Sequence, residues 1–423
     1  MIGYACLNES LPDSKIRTLR KANVTPDALR DIISHNLNVL NRMLDYNIKH
    51  HIQMFRMSSD IIPFGSDHET NTLNWASEFA ESFARLGLKI AKYQLRLSMH
   101  PGQYTVLNSP DPAVVSRSIA ELDYHARFME ALGLDRTHKM ILHIGGVYGD
   151  KKAAMARFIE VYHTLSDNIK ERLIIENDDR LYTISDVLSI SQATGAPVVY
   201  DNLHNTSNLS DSNLSDADWL EQVVKTWKPE DGKPKIHYSQ QRANARIGAH
   251  TQTIYLQSFL EFYQNISDFD VDIMLEVKDK NLSAVKCSLA THPGLQDIRL
   301  LEKEWAAYKY LILYYSPKHY QAIRQLLKDK TQFPVVKFYS LIEECLSEPP
   351  LDRYQINAID HIWGYFKKKA TDKEKASYLK AKTDLMAGKI KARRLLNWLY
   401  KLAIKYDQPY LKKSLIFHYR PHG

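Results

Sequence analysis

Cysteine is scarce in this chain: Cys6, Cys287 and Cys345 are the only three in 423 residues, and no two form a C-x-x-C pair. That spacing excludes a disulfide framework and a thiolate metal site, and it fits a reducing compartment. No apolar run approaches the ~18 residues needed to cross a bilayer; the densest, Tyr308 to Tyr315, is far too short. The opening MIGYACLNES has neither the basic start nor the apolar stretch of a secretory signal. A cytoplasmic chain without membrane contact is therefore expected. No G-x-G-x-x-G follows the first strand-like run, which removes the main argument for a dinucleotide-binding open sheet.

What is present is ordinary in bulk and uneven in distribution. With 44% hydrophobic and 25% charged residues, a full core can be buried, and the length calls for more than one domain. The net charge of +7 conceals an asymmetry: from Gln296 onward 25 Lys+Arg face 13 Asp+Glu, while the remainder holds 31 against 36. An acidic body that binds cations, beside a basic segment near a polyanion, would look like this. A solvated lysine-rich helical surface would look the same from charge alone.

Short apolar or β-branched runs alternate with helical stretches. The runs are IGYACLN from Ile2, HIQMFRMS from His51, YQLRLSMH from Tyr93, KMILHIGG from Lys139, RLIIEND from Arg172, PVVYDNLH from Pro197, PKIHYS from Pro234 and DIMLEVKDK from Asp272. Helical patterns lie between them at 73–86, 113–132, 153–169, 184–193 and 219–226. Eight such units predict an α/β fold, a (β/α)8 TIM barrel followed by an all-helical domain.

Polar residues gather at the ends of these runs: His100, His143, Glu176, Asp201, His204, His237 and Glu276, with His68 and His250 in following loops. Strand C-termini of a barrel converge on one mouth, so residues distant in sequence become neighbours there. One such histidine alone reads as a hydrogen-bonded structural residue; several at successive strand ends do not. Imidazoles mixed with carboxylates suit Mn²⁺ or Zn²⁺, and the set is too large for one ion. A multinuclear cluster suits phosphodiester hydrolysis, where attacking and leaving oxygens both carry charge. Sugar isomerases of similar fold rely more on carboxylates.

Two details extend the pattern. In HPGQY a Pro-Gly turn after His100 presents Gln103 and Tyr104 at the rim, as a wedge into a base stack or packed on their own loop. Lys235 should share the inward face of His237, two residues on. A lysine there is neutral, modified or turned away.

The motifs RMSSDIIPFGSDH, MHPGQY, LHIGGVYGDK, IIENDD, VVYDNLHN, KIHYSQ and MLEVKDKN, with the opening GYACLN, resemble the ultraviolet damage endonuclease family over about 1–290. The resemblance implies a barrel related to endonuclease IV-type enzymes. It implies incision immediately 5′ to cyclobutane pyrimidine dimers, 6-4 photoproducts and abasic sites in double-stranded DNA, leaving 3′-hydroxyl and 5′-phosphate. It implies three divalent metal ions, Mn²⁺ first with Zn²⁺ or Mg²⁺ as alternatives. Metal ligands by motif are His100, His143, Glu176, Asp201, His204, His237, His250 and Glu276, and His68 falls beside them. Glu176, His68 and Lys235 would be catalytic, Lys235 as a carboxylated side chain. Gln103 and Tyr104 would enter the duplex, and Tyr4 and Asn8 would line the lesion pocket. A general abasic-site endonuclease is the nearest rival, a metal-dependent sugar isomerase the next, and a lesion-binding module without activity the last.

Domain boundaries are expected at 1–290 for the barrel, 291–304 for a linker and 305–423 for a basic helical domain. The last resembles a helical family of unassigned function, carried by HIWGYFKKKATDKEK and DQPYL. Lys367, Lys368, Lys369, Arg393 and Arg394 could meet phosphates there. DNA is the expected partner, on the nucleoid.

Overall fold

A computed structural model describes residues 1–210 and 214–419. Its chain forms two compact units: Met1–Asn8 with Asp13–Ile254 and Phe259–Val285, and Glu9–Pro12 with Tyr255–Ser258 and Lys286–Gly423. No helix is long and apolar enough to cross a membrane among the described residues.

The first unit is a closed, all-parallel barrel in sequence order, a TIM barrel. Its strands are β1 (Ile2–Ala5), β2 (Met54–Met57), β3 (Arg96–Met99), β4 (Lys139–His143), β5 (Leu173–Glu176), β6 (Val198–Asp201), β7 (Lys235–Tyr238) and β8 (Asp272–Leu275). Each strand is shorter than the apolar run that announced it, because only the central residues pair. Helices cross between the strands, and local chemistry starts them. Thr25 caps Pro26–Lys49, with proline at its first position. Thr183 with Asp186, and Ser215 with Asp218, form reciprocal capping boxes. The helix Pro26–Lys49 has no counterpart among the helical patterns read from sequence. The stretch 153–169 is two helices, Lys151–Thr164 and Asp167–Arg172, because Leu165 and Ser166 are extended.

Period-2 alternation decides what enters the barrel. Ala5, Met54 and Met274 meet in one inner cluster, and Ile141, Ile174, Val199 and Trp227 in another. Residues two further along each strand then face inward at the C-terminal rim. Gly145, just past β4, has φ +115°, and a Cβ there would lie 2.4 Å from Asn108 Oδ1, so the first glycine of LHIGG is required by both backbone and space.

The second unit is helical. The segment expected to be a linker, 291–304, instead holds a short turn at Pro293–Leu295 and the start of the helix Ile298–Tyr315. Asp297 caps that helix by accepting from Arg299 N, so order begins earlier than the fading strand pattern suggested. Trp363 and Tyr378 stack at 4.2 Å and 9° within its core.

Glu304, 7% exposed in this unit, accepts from the Tyr339 hydroxyl at 3.2 Å, and burial pushes its carboxyl up from 4.5 to about 7. A raised carboxyl favours the protonated folded state, so its stabilisation is complete below 4.5 and is lost as pH climbs through about 7. The span corresponds to about 3 kcal/mol. Denaturant midpoints should fall between pH 5 and 8 in the wild type. Glu304→Gln should flatten that trend and raise the midpoint at pH 8. Parallel pH profiles for the two proteins would count against this assignment.

Candidate metal centre

The rim of the barrel gathers the sequence-predicted ligands around one carboxylate. Among the described residues, three groups of side chains could each hold a metal ion: His100, His143 and Glu176; Glu176, His237 and Glu276; and Glu176, Asp201 and His204. Within each, ligand atoms lie within 4.8 Å of one another. Glu176, the last residue of β5 and 1% exposed, belongs to all three. Its Oε2 is 3.6 Å from His100 Nε2 and 3.7 Å from His143 Nε2. Its Oε1 accepts from His237 Nδ1 at 2.7 Å and lies 3.6 Å from His204 Nδ1.

Each candidate ligand is held by its element. Asp201 ends β6 and caps the helix Asn202–Ser207: its Oδ1 accepts from His204 N at 2.8 Å, which leaves Oδ2 for the site. His204 follows in the first turn of that helix, and its Nδ1 donates to Asn177 O at 2.9 Å. Asn177, fully buried, exchanges two side-chain bonds with the Asp201 backbone, locking β5 to β6 beneath the ligands. His100 is fixed through its carbonyl, which accepts from Ser59 Oγ at 2.7 Å. Glu276 follows β8 and pairs with Arg56 of β2 at 2.5 Å. His250 returns on a loop bridged at Gln241, with Nδ1 4.0 Å from Glu276 Oε2; it stands beside the three groups without joining one.

Electrostatics bear on what the cluster could hold. Burial opposes ionisation of Glu176, yet the histidines around it, His237 foremost, hold its carboxyl well below the usual range. Burial pushes Asp201 up to about 6 despite His204. Burial would lower His204, but Asp201, Glu176 and Glu276 outweigh it and raise the imidazole to about 9. Burial lowers His143 to about 4. Among the described residues, Glu176 Oε2, Asp201 Oδ2, His143 Nδ1 and His237 Nε2 are buried with no hydrogen-bond partner. Anionic oxygens stranded without donors are costly, and shared cations would satisfy them. The donor set fits divalent metal ions.

Other expectations fare differently. Gln103 and Tyr104 are exposed on the turn after His100, Tyr104 by 84%. Tyr4 does not line an open pocket. It alternates with the inward residues Gly3 and Ala5, so it faces the helices, packs on Phe55 at 5.0 Å and donates to Asn47 Oδ1 at 2.8 Å. Asn8, 5% exposed, donates to the Tyr4 hydroxyl at 2.9 Å, so Tyr4 positions Asn8. His68 is exposed and joins none of the three groups, because its loop turns that side chain to solvent. Arg393 is not free for phosphate: it donates to the carbonyls of Ile416 and Phe417, whereas Lys367, Lys368, Lys369 and Arg394 are exposed.

Lys235 is fully buried on the inward face, level with Asp272 on β8. Burial first, then Arg96, pushes its amine well below the usual lysine range, and its Nζ has no hydrogen-bond partner among the described residues. Sequence reasoning missed Arg56 and Asn177. Each sits inside a quoted motif, RMSSD or IIENDD, beside residues that were singled out.

Known proteins resemble this chain along most of its length. Residues 1–307 match the family model described as UV-endonuclease UvdE, and residues 309–421 match a family described as of unknown function. The UV DNA damage endonuclease of Clostridium perfringens (strain 13 / Type A) is 40% identical over 351 residues, 82% of this chain and 84% of that protein. That of Bacillus mycoides (strain KBAB4) is 32% identical over 66% of this chain and 88% of its own. The crystal structure of SacUVDE superposes with a TM-score of 0.65 at 38% identity, covering 68% of this chain and 96% of that one. With the family model spanning most of its length and the barrel carrying the ligand cluster, the chain belongs to the UV-endonuclease UvdE family.

Proposed function

We propose that this protein hydrolyses DNA immediately 5′ to ultraviolet photoproducts, leaving 3′-hydroxyl and 5′-phosphate ends, and starts an excision repair from the cytoplasm on the nucleoid. The observation that carries this is the convergence of three candidate ligand groups on Glu176 at one barrel mouth, in a chain 40% identical to a UV DNA damage endonuclease.

His100, His143, Glu176, Asp201, His204, His237, His250 and Glu276 would hold divalent ions, three in number and Mn²⁺ by preference. Such ions supply Lewis acidity to a phosphodiester and acidify water near neutral pH. The chain's own residues do the rest. Arg56 holds Glu276 in place, and Asn177 fixes the His204 ring through its carbonyl. Photodimers stack and pair poorly, so extruding them costs less than extruding normal bases. Gln103 and Tyr104, projecting from a turn that starts at the ligand His100, fill the gap left in the stack, and Asn8 meets the extruded lesion.

An end-labelled duplex, irradiated or carrying an abasic site, tests this when incubated with and without Mn²⁺. A cut immediately 5′ of the dimer, dependent on the ion, is expected. Cutting of the abasic duplex alone would replace this reading with a general abasic-site endonuclease. Tyr104→Ala should weaken binding to the irradiated duplex about ten-fold, as loss of one stacking ring does, with metal content unchanged. Unaltered affinity in a titration would remove the wedge.

A further inference from the structure

The helical unit carries an aromatic cluster that its own packing does not use up. Tyr310 stands edge-on to two rings, Tyr365 at 6.1 Å and 86° and Tyr410 at 6.1 Å and 85°. Those two are near-parallel, 8° apart at 6.2 Å. The Tyr310 and Tyr365 hydroxyls bond at 2.9 Å. Tyr320 joins the group: burial pushes the Tyr410 hydroxyl up to about 12, with Tyr365 and Tyr320 adding to the shift. Trp305 packs on Tyr320 at 5.5 Å. Tyr310 is buried, but Tyr320, Tyr365, Tyr410 and Trp305 are half-exposed.

Two cations sit among these rings. Lys309 Nζ lies 5.3 Å from the Tyr310 centroid and 6.0 Å from that of Tyr410, and the Arg324 guanidinium lies 5.6 Å from that of Tyr320. Burial and then Arg324 lower the Lys309 amine, so the two charges feel each other. Neither has an ion pair or hydrogen bond among the described residues. The core stack of this unit is different in kind. There Trp363 and Tyr378 are buried, and the Tyr378 hydroxyl is tied to Asp360 at 2.5 Å.

Half-open π faces beside like charges without a counter-ion fit a ligand that brings both flat rings and negative charge. A nucleotide chain does so at every step: bases stack on aromatic side chains and phosphates meet lysine and arginine. A paired duplex hides its base faces, so the ligand is unpaired. The excess of 25 Lys+Arg over 13 Asp+Glu from Gln296 onward supports a polyanion. We propose that Lys309, Arg324, Tyr310, Tyr320, Tyr365 and Tyr410 form a binding site for an unpaired polynucleotide strand.

The test uses the full chain with a chelator present, and fluorescent oligo-dT, oligo-rU and a blunt duplex as probes. Single strands should bind more tightly than the duplex, and the dT and rU arms decide which strand is preferred, either one supporting the site. Tyr410→Leu should weaken single-strand binding about ten-fold, while Tyr410→Phe retains it. Lys309→Gln with Arg324→Gln should reduce the salt slope by roughly one and a half, the loss of two phosphate contacts on a single strand. Arg324 is exposed and has no ion pair or hydrogen bond among the described residues, so Arg324→Gln alone should keep the fold and already reduce the slope. Affinity and slope unchanged in these variants would overturn the proposal, as would binding to anionic phosphatidylglycerol vesicles in place of either strand. No incision is measured, so failure here leaves the barrel's proposed activity standing.

Discussion

Replacing Glu176 by alanine is expected to lower single-turnover incision of an irradiated duplex by about a thousand-fold, the equivalent of roughly 4 kcal/mol of barrier, while the variant still retards that duplex in a gel. The size of the effect follows from sharing: each of the three candidate ligand groups contains Glu176, so one truncation thins all of them. His143→Ala, which touches one group, should cost less and remove less metal. Metal content measured on both variants separates loss of ions from loss of fold. An alanine variant that keeps its ions and cuts at the normal rate would remove Glu176 from the centre of the site.

The second large effect is expected at Lys235. Its ammonium would be wholly buried, without a hydrogen-bond acceptor among the described residues, and would face Arg96, Arg56 and Lys139 with Asp272 as the opposing charge. An uncompensated buried charge is strongly destabilising. Addition of carbon dioxide to the neutral amine, with release of one proton, turns the side chain into an anion that those arginines would hold. Native mass measured at neutral pH should exceed the sequence mass by one carbon dioxide and revert in acid. Lys235→Met should then lower incision about a hundred-fold, as loss of a group that orients ligands does, and should not stabilise the protein. If Lys235 were an unmodified amine, the same substitution would remove a buried polar group and raise stability with activity intact.

The sequence disclosed those parts of the site that follow from periodicity. His143, Glu176 and Asp201 close their strands and His100 and Glu276 come one residue after theirs, so barrel closure brings them together without further information. The same alternation places Tyr4 on the outer face, between the inward Gly3 and Ala5; the motif likeness outweighed it in the sequence reading. Arg56 was hidden because its partner Glu276 is 220 residues away, and Asn177 because an amide beside a conspicuous carboxylate reads as a turn residue. His68 rested on its place in the loop after the second strand and on its motif, with no strand end to fix its direction. The helix Pro26–Lys49 announced itself only through Thr25 and Pro26 at its start, ahead of a mixed polar surface.

Asp201 serves two masters: one oxygen closes the first turn of a helix and the other waits, undonated to, at the centre. Because the backbone grips the first, the second cannot swing away, and its aim is set by the fold alone. An asparagine there could still begin the helix while offering a neutral oxygen, so architecture and chemistry part company at a single atom. If the rim holds ions as proposed, the cost of orienting this oxygen is met by secondary structure.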